Sequence, residues 1–126
     1  MTGPRLCPLR VVVCDDNEEL RELVRFSLDR EPAVRVVAEA GDGPSAVHTT
    51  ARTQPDVVVL DLTMPGLPSD ELVVAVRSAA PAARVVVFSG NARSRALGLS
   101  NVTYVEKSAP YETLVRAVTG VLARTA

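Results

Sequence analysis

Five short apolar runs recur at near-even intervals along the 126 residues, and three of them are continuous rather than alternating. The runs cover residues Leu9–Cys14, 34–38, 57–62, 84–88 and 102–105. Val11, Val12, Val13 and Cys14 stand together, as do Val57, Val58, Val59 and Leu60, and again Val85, Val86, Val87 and Phe88. A strand that shows water on one face alternates apolar and polar residues. An unbroken β-branched run needs apolar neighbours on both faces, which is the environment of a parallel sheet. The second and fifth runs are shorter or interrupted by polar residues and suit strands nearer an edge.

Between the runs the apolar spacing becomes helical. Leu20, Leu23, Val24 and Leu28 follow an i, i+3, i+4, i+8 stripe, and Ala46, Val47, Thr50 and Ala51 form a weaker one entered at Gly43 and Pro44. Leu72, Val73, Val76 and Ala80 mark a third helix, with Ser69 or Asp70 placed to cap it. Leu114, Val115, Val118, Val121 and Leu122 mark the last, with Ser108 as its cap and Pro110 in its first turn. The segment spanning residues 91–99 is poorly patterned, contains Gly98 and predicts only a turn or two of helix. Strands alternating with helices imply crossovers and a parallel sheet covered on both faces. The expected fold is α/β: a doubly wound, five-stranded parallel sheet in flavodoxin-like order 2-1-3-4-5, with a shortened fourth helix.

Composition narrows the function. Hydrophobic residues at 47% and charged residues at 23% supply a core and argue against disorder. Fourteen basic residues against fifteen acidic ones give a net charge of −1, and no basic block is present, so no direct nucleic-acid binding is expected. No apolar run approaches the ~20 residues of a bilayer span, and the first ten residues lack the apolar stretch of a secretory signal. The expectation is a cytoplasmic chain without membrane insertion. Cys7 and Cys14 fit that compartment, Cys14 as a small hydrophobe within a central strand.

In a doubly wound sheet ligands bind outside the carboxyl ends of the strands. The polar residues fall there. Run one ends in Asp15 and Asp16, run three in Asp61, run four in Ser89, and run five in Lys107 after Tyr104. Side-by-side strands would gather them at one edge. Three close carboxylates repel one another, and a hard divalent cation such as Mg²⁺, which takes oxygen ligands and keeps several waters, relieves that repulsion. Lys107 offers a compact positive charge and Ser89 a hydroxyl donor, both suited to phosphoryl oxygens.

These residues resemble the response-regulator receiver domains. Asp15-Asp16 is similar to that family's metal pair. The stretch Val57-Val58-Val59-Leu60-Asp61-Leu62-Thr63-Met64-Pro65-Gly66 resembles its phosphoacceptor strand and following turn. Ser89-Gly90 and Tyr104-Val105-Glu106-Lys107 resemble its hydroxyl and its aromatic–lysine positions. The likeness spans residues 9–122, and it implies that residues 1–126 form a single receiver domain. It also implies that Asp61 takes a phosphoryl group from a sensor histidine kinase or a phosphotransfer protein. Asp16 and Asp61 would bind Mg²⁺ directly, Asp15 partly through water, and Thr63 through its backbone carbonyl. Lys107 and Ser89 would hold the phosphoryl oxygens, and Ser89 with Tyr104 would form the switch read by a downstream protein target or by an output domain not present in this chain.

Three features depart from the family pattern. Ser89 and Lys107 are separated by 18 positions, about one helical turn fewer than in most receivers. Ser108, rather than proline, follows Lys107, and Thr63 and Asn91 occupy positions where the family varies. Each site residue also has an ordinary role when taken singly: Asp15 or Asp16 as a helix cap, Ser89 as a loop hydroxyl, Lys107 as a solvated charge, Tyr104 as a half-buried aromatic. His48 stands alone, which argues against zinc or a Ser-His-Asp hydrolase. One competing reading is a degenerate receiver that binds proteins independently of phosphorylation. Another is a phosphatase or phosphotransferase of a different α/β family with an aspartyl nucleophile, which would need a second carboxylate where Thr63 stands.

Overall fold

The computed structural model describes residues 7–90 and 102–120. The elements in chain order are β1 (Leu9–Cys14), α1 (Glu18–Asp29), β2 (Val34–Ala40), α2 (Gly43–Thr53), β3 (Val57–Leu60), α3 (Ser69–Ala79), β4 (Arg84–Ser89), β5 (Val102–Glu106) and α4 (Tyr111–Thr119). All five strands run parallel in the order β2-β1-β3-β4-β5, which is the expected 2-1-3-4-5 arrangement. The shortened helix expected at residues 91–99 lies outside the described residues, as do Val121 and Leu122.

The unbroken valine runs feed two cores at once. Val12, Cys14, Val58, Leu60, Val85 and Val87 face one way, onto Ala46 of α2 and Leu72, Val73 and Val76 of α3. Val11, Val13, Val57, Val59, Val86 and Phe88 face the other way, onto Val24 and Leu28 of α1 and Leu114, Ala117 and Val118 of α4. Successive strand side chains point to opposite faces, so every position of a central strand must be apolar when helices cover both. Among the described residues no helix is long and apolar enough to cross a membrane.

Several ends differ from the sequence expectation. β2 runs on to Ala40, and β3 stops at Leu60, because Asp61 and Leu62 turn out of the strand while Leu62 stays buried beside α3. The residue before α3 is Pro68, not Ser69 or Asp70. The Ser69 hydroxyl instead donates to the Leu62 carbonyl at 2.9 Å, tying the helix start to the loop after β3. Pro110 precedes α4 instead of lying in its first turn, and Ser108 does not cap it. At the other end of α4, the Arg84 guanidinium reaches from the start of β4 and donates to the carbonyls of Ala117 (3.0 Å) and Val118 (2.5 Å).

The loop after β3 is locked against α2. Gly43 donates its N–H to the Pro65 carbonyl at 2.8 Å, and Gly66 adopts φ +103° against Pro44. A Cβ at position 66 would meet the Pro44 Cδ at 2.5 Å, so both the backbone angle and the space demand glycine. Gly66→Ala is expected to lower unfolding free energy by about 1–3 kcal/mol, the usual cost of one such strained residue, as read by equilibrium urea denaturation.

Candidate functional site

The carboxyl edge of the sheet collects the acidic residues. Beyond β1, Asp15 donates its N–H to the Ala40 carbonyl at the end of β2, and beyond β3 Asp61 donates to the Cys14 carbonyl, each at 3.0 Å. Beyond β5, Lys107 donates its N–H to the Ser89 carbonyl at 3.0 Å. The backbone ladder therefore carries Asp15, Asp61, Ser89 and Lys107 to one rim. Asp15 and Asp61 are almost fully buried, Ser89 is buried, and Asp16 is exposed.

One oxygen from each of Asp15, Asp16 and Asp61 can be chosen so that all three lie within 4.8 Å of one another. Lys107 faces two of them, its Nζ lying 2.9 Å from Asp15 Oδ2 and 3.2 Å from Asp61 Oδ2. Asp61 Oδ1 accepts from the Thr63 N–H at 3.1 Å and from the Thr63 hydroxyl at 2.9 Å. Asp15 Oδ1 accepts from the Asn17 N–H at 2.9 Å. Three carboxylates against one ammonium leave the pocket negative. The donor set is all oxygen and opens to solvent through Asp16, which fits a hard divalent ion such as Mg²⁺.

The helix-capping explanation for the acidic pair does not hold. Asn17 caps α1, its side chain accepting from the Leu20 N–H at 3.1 Å. Tyr104 is half-buried against the α3-side core, and its phenol oxygen is enclosed without a hydrogen-bond partner among the described residues. His48 sits exposed on α2. Sequence reasoning missed Asn17, Arg21 and Glu39. The Arg21 guanidinium donates to the Asp15 backbone carbonyl at 2.7 Å and to Glu39 Oε1 at 3.0 Å.

Lys107 is the sole lysine of the chain. Burial pulls its pKa down, but hydrogen bonds and charge from Asp15 and Asp61 outweigh that and hold it above the ordinary lysine value. Stability linked to this raised pKa is complete below the unfolded value of ~10.4 and is lost as pH climbs through the folded value. Selective lysine labelling gives one side-chain resonance, whose titration midpoint is expected above ~10.4 and is expected to fall in Asp61→Asn. A midpoint below that value would contradict the paired geometry. Burial, and next the Asp15 charge, push the Cys14 thiol up to about 12. An alkylating reagent at neutral pH is therefore expected to label exposed Cys7 and to spare Cys14 until the chain is unfolded.

A family model for the response regulator receiver domain matches residues 11–119. The chain belongs to the response-regulator receiver family. This receiver is 33% identical over 119 residues to the nitrate/nitrite response regulator protein NarP of Escherichia coli K12, a match covering 91% of the chain and 55% of that protein. It is 38% identical over 92 residues to protein-glutamate methylesterase/protein-glutamine glutaminase 3 of Myxococcus xanthus, covering 73% of the chain and 26% of that protein. The receiver thus spans only part of the length of these curated relatives. Among solved structures, the receiver domain of the response regulator NarL from Mycobacterium tuberculosis superposes with a TM-score of 0.82 at 32% identity, over 94% of this chain and 99% of that one.

Proposed function

We propose that this receiver is a phosphorylation-controlled switch of the cytoplasm, whose Asp61 accepts a phosphoryl group from the phosphohistidine of a sensor histidine kinase or a phosphotransfer protein. The observation that carries the reading is the convergence of Asp15, Asp16 and Asp61 on a common center beside Lys107. Asp61 supplies the attacking oxygen: a P–O bond forms, the donor's P–N bond breaks, and the electron pair leaves on the imidazole. Asp15, Asp16, Asp61 and the Thr63 carbonyl would hold Mg²⁺. When bound, that ion neutralises charge on the phosphoryl oxygens, which is most of what a loose phosphoryl transition state needs.

Lys107 already shares its charge between Asp15 and Asp61, so it stands where a phosphoryl oxygen would arrive. Ser89 would donate to a second oxygen. Among the described residues the enclosed Tyr104 hydroxyl has no hydrogen-bond partner, an arrangement that would cost about 1–3 kcal/mol and that suits a side chain occupying one of two positions. Ser89 and Tyr104 together would pass the local charge to the surface read by a downstream protein or by an output domain. Incubation with acetyl phosphate and Mg²⁺ is expected to add the mass of one phosphoryl group, and EDTA to prevent it. An unchanged mass would overturn the proposal and leave a phosphorylation-independent binding module in its place.

A further inference from the structure

We infer that Arg21 is a positioning residue for the acidic pair: by holding the Asp15 carbonyl it sets the affinity of the pocket for a divalent cation. The inference rests on the metal-binding reading above. The carbonyl that Arg21 holds at 2.7 Å belongs to the peptide joining Asp15 to Asp16. That unit is planar and stiff, so fixing its oxygen fixes the backbone from which both carboxylates hang. The ladder from β1 to β2 has ended there, the last rung being Asp15 N–H to Ala40. Arg21 takes over where the strand stops.

Other parts of the fold hold Arg21 in turn. Its Nε donates to Glu39 Oε1 at 3.0 Å, and Glu39 Oε2 also receives Arg25 at 2.9 Å. Both Arg21 and Glu39 are largely buried, their side chains 18% and 24% exposed. Position 41 leaves room for the guanidinium, since a Cβ there would stand 3.2 Å from Arg21 Nη1. A guanidinium presents donors in a rigid fork, so it can satisfy a carbonyl and a carboxylate at once, which an ammonium on a flexible stem does less well.

The sign of the effect separates positioning from charge. A cation near the pocket repels Mg²⁺, so if Arg21 acted through its field alone, Arg21→Gln would tighten binding. Glu39 compensates that field at close range, and the loss of the carbonyl bond dominates. Groups that orient metal ligands typically account for 10–100-fold in affinity. Calorimetric titration with MgCl₂ is therefore expected to show Arg21→Gln binding about ten-fold or more weakly than wild type, Arg21→Lys in between, and Arg25→Gln within about two-fold. Without metal, the amides of Asp16 and Asn17 are expected to exchange faster with solvent in Arg21→Gln while those of β3 and β4 do not. Arg21→Lys keeps the charge and serves as the test if Arg21→Gln does not fold. Wild-type affinity in both variants, or tighter binding in Arg21→Gln, overturns the inference and leaves the metal reading standing. Absence of Mg²⁺ binding in the wild type overturns both.

Discussion

Asp61→Asn is expected to abolish phosphoryl uptake, with no gain in mass under acetyl phosphate and Mg²⁺ concentrations that fully label the wild type. An amide has no anionic oxygen to attack phosphorus, and it removes one of the three carboxylates around the pocket. A fall of at least roughly a thousand-fold in rate corresponds to about 4 kcal/mol of barrier. The fold should survive the change. The Asn amide oxygen can still accept from the N–H and hydroxyl of Thr63, and Lys107 keeps Asp15 as its partner. Phosphoryl label appearing on the variant at an undiminished rate would move the acceptor to another residue and remove the proposed role of Asp61.

Phe88→Ala should have the largest effect on stability. Phe88 is the largest of the fully buried side chains, 2% exposed, on the penultimate position of β4. It lies in the core between the sheet and the α1–α4 face, its ring 6.3 Å from that of Tyr111 and tilted 60° to it. Removing such a ring typically costs about 3–5 kcal/mol, part from lost burial and part from the cavity left behind. Against a total stability of roughly 5–15 kcal/mol, that brings the chain close to unfolding. Equilibrium urea unfolding is expected to show a lower midpoint with the slope unchanged. A loss below about 1 kcal/mol would mean that neighbours collapse into the space, and that this core is softer than its packing indicates.

The sheet was legible because its signal is redundant. Three valine runs had to be buried on both faces, and the residues just past the strand ends had to share a rim, so the sequence alone places Asp15, Asp61 and Lys107 together. Helix faces were less legible. Leu23 belongs to the apolar stripe by spacing, yet it is 52% exposed, with Phe26 at 65%. At about 100° per residue, the buried Val24 and Leu28 centre an arc that leaves Leu23 roughly 120° away and admits Arg21. A polar residue at an inward position was the missed sign that α1 feeds the pocket. Helix starts were misread for a different reason. Ser69 and Ser108 carry capping side chains, but Ser69 bonds the Leu62 carbonyl instead, and proline precedes both α3 and α4. A propensity for capping does not say which unpaired group is nearer.

The Arg84 clamp has a mechanical consequence. β4 begins with the arginine that grips the trailing carbonyls of α4 and ends with Ser89 at the rim of the pocket. One strand therefore works as a tie rod between the acidic pocket at one pole and the helix end at the other. Tension applied to the backbone at Gly120 would load the guanidinium as α4 began to peel away. The last turn of α4 is anchored to the same strand that carries Ser89.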